Sequence, residues 1–327
     1  DADLGEITVG EIPSGESGFS DGQGVKITTA RGQVELLLFP SLEVGESMIL
    51  MRASVRSTGP GASVGLAALD GSMDGSIATN IPANSRIFQD GYHLMALVYN
   101  PPGTSVIPVF QVANLTGFGN VTVYLDNLEV YVLPEDGCVS NEMLWSAEYD
   151  SDAGTCAPDL VQMSEINSIE EFAEYPGGFI DADPGQLVVG EIPLGEGGFS
   201  DGQGAKITVA RGQVELLLFP SLEVGEDTIF MRASVRSTGA GASVGFAALD
   251  GSMDGSIATN IPANSRIFQD EYDRMVLIYD PPETTVIPVF QVANLAGFGN
   301  VTVYLDNLEI YVLPEGGCVS NSVLYGD

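Results

Sequence analysis

Asn120–Leu133 reads NVTVYLDNLEVYVL, and Asn300–Leu313 reads NVTVYLDNLEIYVL. Val, Tyr and Leu dominate both stretches, and these residues suit a pleated, half-buried surface. Each is the longest candidate strand of its neighbourhood. The two stretches lie 180 residues apart because the chain contains itself twice. Asp1–Ala147 aligns with Asp181–Asp327 without a gap, and 118 of the 147 positions are identical. A period this long exceeds that of solenoids and blades, so each copy is expected to be a whole domain.

Outward from the closing strand, period-two patterns continue. Met48–Arg56 places Ile49, Met51, Ala53 and Val55 on one face, while Leu50, Arg52, Ser54 and Arg56 take a face expected to be half-solvated. Gly24–Ala30, Gln33–Phe39, Ala62–Leu69, Tyr92–Tyr99 and Val106–Val112 alternate likewise. Turn residues separate them, as in Ser20-Asp21-Gly22, Ser57–Gly61, Asn100–Gly103 and Gly117–Asn120. Pro108 predicts an edge or a bulge for its strand. The fold class expected is all-β: two tandem antiparallel β-sandwich (jelly-roll) domains with a short, mostly irregular connector.

The expected organisation is a first sandwich over residues 1–137, a connector over 138–180 and a second sandwich over 181–327. Residues 148–180 hold eight acidic and no basic residues, yet carry Leu160, Val161, Met163, Ile166, Ile169, Phe172, Phe179 and Ile180. That is too apolar for a free linker. A packed connector is expected, lending a first strand to the copy that follows. Ser168–Ala173 has capping-box spacing and is the best helix candidate, ended by Pro176-Gly177-Gly178.

The formal net charge is −34, from 45 acidic and 11 basic residues. A phosphate-tracking surface is excluded, so nucleic acid is not an expected partner. No run of 18 apolar residues exists, which excludes a helical membrane span. The absence of an initiator Met gives the expectation of a mature or excised portion of a longer precursor. Cys138 and Cys156 lie 18 residues apart, and Cys318 is the second-copy counterpart of Cys138. A Cys138–Cys156 bridge and an extracellular location are expected, and the stranded Cys318 suggests truncation or a bond to a neighbouring molecule.

The segment Val121–Tyr131, repeated at Val301–Tyr311, resembles the closing strand of jelly-roll carbohydrate-binding modules and galactose-binding-like domains. In those families an alternating apolar strand is interrupted by Asp followed by Asp or Asn, as at Asp126-Asn127. The resemblance implies a structural calcium held in part by Asp126 and Asp306, and glycans as ligands. The aromatic platforms of such sites have no evident counterpart, since the only Trp is Trp145, replaced by Tyr325 in the second copy.

The remaining constellations are sparse. His93 is the sole histidine and becomes Asp273 in the second copy, so no triad can be built twice, and no catalytic set is expected. Ala67–Asp90 is unchanged at Ala247–Asp270, and its acidic glycine loop offers calcium oxygens from Asp70, Asp74, Asp250 and Asp254, or is a plain turn. Asp150-Ser-Asp152 begins like a calcium loop, but Val161 stands where the distal Glu belongs. Asn114, Asn120 and Asn300 head the acceptor pattern for N-glycosylation. The function expected is an extracellular structural repeat protein joined head to tail with copies of itself into a fibre or surface layer. The alternative is a tandem carbohydrate-binding module for glycan adhesion.

Overall fold

The structure is a computed structural model of all 327 residues. It describes residues 6–12, 23–45, 47–58, 63–70, 76–82, 92–101, 103–114, 119–133, 137–145, 161–166, 179–180, 187–189, 204–211, 213–219, 221–225, 227–238, 243–250, 256–262, 272–280, 284–294, 299–313, 317–320 and 323–324.

The chain is all-β. The first repeat supplies β1 (Glu6–Glu11), β2 (Gln23–Thr29), β3 (Gln33–Leu38), β4 (Leu42–Glu43), β5 (Met48–Ser57), β6 (Ser63–Asp70), β7 (Ser76–Pro82), β8 (His93–Tyr99), β9 (Ser105–Asn114) and β10 (Val121–Leu133). Then come β11 (Cys138–Ser140), α1 (Asn141–Trp145), β12 (Val161–Ile166) and β13 (Phe179–Ile180). The second repeat supplies β14 (Leu187–Val189), β15 (Ala205–Val209), β16 (Gln213–Leu218), β17 (Leu222–Glu223), β18 (Thr228–Ser237), β19 (Ser243–Asp250), β20 (Ser256–Pro262), β21 (Asp273–Tyr279), β22 (Thr285–Asn294), β23 (Val301–Leu313) and β24 (Cys318–Ser320).

One sheet of the first repeat runs β1-β2-β10-β5-β8, and its counterpart runs β14-β15-β23-β18-β21 with β12 added beside β23. The opposing sheets are β3-β9-β6-β7 and β16-β22-β19-β20, every pairing antiparallel. Alternation does the packing. Ile49, Met51, Ala53 and Val55 on β5 are fully buried, facing a core that includes Ile27, Leu66, Phe110 and Val123. Asn114 stitches the two layers. Its buried amide nitrogen on β9 donates to the Thr29 carbonyl at 3.0 Å, on the other sheet, and to the Gly119 carbonyl at 2.7 Å.

Pro108 does not sit on an edge strand. Its strand β9 lies between β3 and β6. The neighbour on one side changes at this point from β3 to β4, and the Phe39 amide donates to the Pro108 carbonyl at 3.0 Å. A strand residue points its N–H and C=O the same way. The missing donor of Pro108 therefore faces the break between β3 and β4, where no partner needs it.

The repeats are not arranged head to tail. β7 pairs with β20, with Thr79 opposite Thr259, and so fuses the two opposing sheets into one continuous sheet. β11 pairs with β24, with Val139 opposite Val319. Each centre joins a residue to its own counterpart 180 positions on, which is the mark of an isologous, two-fold contact. The same symmetry orders a second buried cluster. It combines Met48, Leu50, Val98, Leu133 and Leu144 with Phe230, Ile278, Leu313 and Leu324.

Two expectations change accordingly. Leu50 and Arg52 belong to the face of β5 expected to be half-solvated, yet they are 0% and 2% exposed: Leu50 packs into the cluster shared with the other repeat, and Arg52 is covered by Glu129, Tyr131 and Met143 of its own repeat. The disulfide is also different. Cys138 and Cys318 are both disulfide-bonded, and with three cysteines in the chain two bonded ones are bonded to each other. The Cys138–Cys156 expectation is therefore corrected to a bridge between repeats: pairing of β11 with β24 puts Cys138 beside Cys318 on one face of the ribbon. Cys156 and the expected helix at 168–173 lie outside the described residues. The described helix is α1, whose first turn is capped by the Ser140 hydroxyl accepting from the Met143 amide at 3.0 Å.

Candidate functional site

Three neighbouring strands, β2, β10 and β5, build a polar surface on the outer face of the first sheet. In β10 the apolar residues Val121, Val123 and Leu125 turn inward and are buried. Thr122, Tyr124 and Asp126 therefore turn outward. Register then sets them in rows. Lys26 lies opposite Tyr124, which lies opposite Arg56. Thr28 lies opposite Thr122, with their hydroxyls 3.1 Å apart, and the Thr58 hydroxyl donates to the Thr122 carbonyl at 3.2 Å. Asp126 lies opposite Ser54. Tyr124 is buried beneath Ile12 and Tyr92, while Lys26, Thr28, Ser54, Arg56, Thr122 and Asp126 are half-buried.

The second repeat reproduces the arrangement. Lys206 lies opposite Tyr304, which lies opposite Arg236, and the Thr208 and Thr302 hydroxyls are 3.0 Å apart. These two positions hold the only lysines of the chain. Burial, then the neighbouring charge of Asp306, pushes the Tyr272 phenol far above its ordinary range, with Arg236 opposing. A protonated phenol held among Asp306, Arg236 and Tyr304 is a hydrogen-bond donor at any ordinary pH. The surface carries hydroxyls, one ammonium, one guanidinium and one carboxylate on three hydrogen-bonded strands.

At the far end of the same face, Arg52 is buried as an anchor within its own repeat. Its Nε donates to Glu129, its Nη1 donates to the Met143 carbonyl at 2.9 Å, and its guanidinium lies 5.6 Å from the Tyr131 ring centroid. Arg232 repeats this with Glu309, the Val323 carbonyl and Tyr311, whose ring stacks on Phe230 at 5.5 Å. Burial raises the phenols of Tyr131 and Tyr311. Arg52 ties α1 to the sheet, and pairing satisfies a charge that would be costly alone. The alternation of Leu50 with Arg52 beside apolar Val98 was the available signal for the interface between repeats.

The residues nominated from sequence fare unequally. Asp126 and Asp306 serve the backbone: each Oδ1 accepts the following amide, from Asn127 or Asn307, at 2.8 Å. Those asparagines have φ of 49°, in the left-handed region that Asn tolerates, where β10 and β23 shift register. Among the described residues no three His, Cys, Asp or Glu side chains gather to hold a metal. The calcium implied by the resemblance thus finds no assembled ligand set there. Asp70 and Asp250 end β6 and β19. Asp74 and Asp254 lie outside the described residues. Asn120 and Asn300 are exposed just before the closing strands. Asn114 is fully buried and its amide is engaged, so the folded chain does not present it as a glycan acceptor.

No protein-family model matches this sequence, and no curated protein is similar to it. Similar solved structures include the CBM22-1 xylan-binding domain of Paenibacillus barcinonensis Xyn10C, at 15% identity and a TM-score of 0.33, covering 48% of this chain and 97% of that domain. They also include CsCBM6-3 of Clostridium stercorarium, solved with cellobiose, at 16% identity and a TM-score of 0.26, covering 44% and 92%. The enzymatically active domain of bacteriophage CBA120 tailspike protein 4 is similar at 15% identity and a TM-score of 0.29, over 40% of this chain. This chain spans only 18% of that domain's length.

Proposed function

We propose that the chain is a non-catalytic, extracellular glycan-binding protein with two equivalent sites, one on the outer face of each first sheet. The observation behind this reading is the row Lys26–Tyr124–Arg56 beside Thr28–Thr122–Thr58, repeated residue for residue in the second copy. Sugars are recognised by fixed hydroxyl, amino and carboxylate groups, and this surface holds those groups in register on paired strands, over a Tyr124 ring buried beneath Ile12 and Tyr92. The closing-strand resemblance to carbohydrate-binding modules points to the same class. Two weak sites in one rigid body gain avidity on a polymer. The Cys138–Cys318 bridge fits an oxidising, extracellular setting.

A head-to-tail fibre would need contacts beyond the closed, two-fold one formed inside the chain. The glycan reading needs none. Affinity electrophoresis through gels loaded with neutral and acidic polysaccharides, with a glycan array beside it, tests the reading. Retardation by at least one polysaccharide is expected. Lys26→Ala with Lys206→Ala should weaken it about tenfold or more, since both sites lose a donor. A silent array and unretarded migration in every gel would end it.

A further inference from the structure

The two repeats share nearly all their sequence but differ in what covers them. In the second repeat β13 pairs with the edge strand β16, setting Phe179 opposite Leu217 and Ile180 opposite Leu216. β12 pairs with β23, from Val161 opposite Val312 to Ile166 opposite Leu308. β12 and β13 therefore clasp both sheets of the second sandwich along one side.

Among the described residues, no strand covers the same side of the first repeat. β3 has the sequence of β16, QVELLL, yet ends its sheet among the described strands. Val34, Leu36 and Leu38 are 46%, 49% and 44% exposed. On the core face, Leu37 and Phe39 are only partly buried, whereas their counterparts Leu217 and Phe219 are 4% and 5% exposed. The closing strands tell the same story, with Val132 50% exposed and its counterpart Val312 6% exposed.

From this difference we propose that the first repeat has a docking slot for an extended segment of the connector's own chemistry. That segment is an alternating strand like VQMSEI at 161–166, followed a dozen residues later by an aromatic-aliphatic pair like Phe179-Ile180. It would add one strand beside Leu128–Val132 of β10 and a second beside β3. Main-chain pairing would supply affinity, and the apolar positions would supply register. A long apolar edge left open invites pairing with another chain, and the second repeat shows which segment closes it. This slot is independent of the glycan reading, because it lies on strand edges and not on the Lys26–Arg56 row.

The test titrates a fluorescent, cysteine-free peptide of residues 158–182 into the full chain, with a scrambled peptide as control. Saturable binding of one peptide per chain is expected, with hydrogen exchange slowed at 33–38 and 128–132. Leu36→Glu combined with Val132→Lys should weaken binding at least about tenfold. Both residues are already exposed, so the melting curve should not move. Should that variant unfold, Leu38→Lys alone is read the same way. Failure to saturate, binding insensitive to these substitutions, or slowing confined to 213–218 would each overturn the proposal.

Discussion

Val139 lies directly opposite Val319, its own counterpart in the other repeat, and both are fully buried at the centre of a two-stranded ribbon. The Cys138–Cys318 bridge closes the same ribbon. A covalent bond there ties the ends of the two sandwiches at their two-fold contact. It also closes a loop of nearly the whole second repeat.

The bridge predicts a definite thiol pattern. Under denaturing, non-reducing conditions one thiol should titrate, and peptide mapping should place it at Cys156. A peptide pair linking Cys138 to Cys318 should appear by mass spectrometry and vanish on reduction. In the chain-entropy account a loop of this size is worth about 5 kcal/mol, so reduction should lower the melting temperature clearly. A mapped Cys138–Cys156 pair would contradict the structure.

Arg52 predicts a local collapse on truncation. Arg52→Ala leaves Glu129 and the Met143 carbonyl without their donor and opens a hole under α1. Breaking a buried pair costs 3–5 kcal/mol in general, and the partly exposed Glu129 reduces this to about 2–3 kcal/mol. Urea unfolding should show that loss. Arg52→Met, which keeps the stem and fills the space, should recover part of it.

Class and strand positions were legible because alternation is a local property. β5, β8 and β10 begin and end within a residue or two of their periodic stretches. What alternation could not show is what lies against the outer face. Alternation alone gives Leu50 and Arg52 a half-solvated face; the other repeat turns Leu50 into core, and α1 with Glu129 and Tyr131 covers Arg52. The bridge was misassigned because nearness in sequence, 18 residues between Cys138 and Cys156, stood in for nearness in space. Two-fold pairing overrode it. Pattern alone leaves Pro108 at an edge or a bulge, because it does not reveal where a neighbouring strand breaks. The Lys26–Tyr124–Arg56 row was missed for a similar reason: its members come from three strands, and only register aligns them.

Asn114 separates motif from structure most sharply. Its Asn-Leu-Thr sequence matches the glycan acceptor pattern, while the second copy has Asn294-Leu-Ala and does not. Both asparagines nevertheless make the same bonds, since Asn294 donates to the Val209 carbonyl at 3.0 Å and to the Gly299 carbonyl at 2.7 Å. The residue is thus kept in place by its buried amide whether or not the motif is intact. Asn114→Ala leaves the buried Thr29 carbonyl, and the Gly119 carbonyl at an exposed turn, short of a donor and should cost about 1–3 kcal/mol in urea unfolding. Asn120→Ala, at an exposed position, should cost less than about 0.5 kcal/mol. Expressed in a glycosylating host, the chain should show occupancy by mass spectrometry at Asn120 or Asn300 and none at Asn114. A glycan on Asn114 in folded, monodisperse protein would show that this amide is not the inter-sheet stitch described.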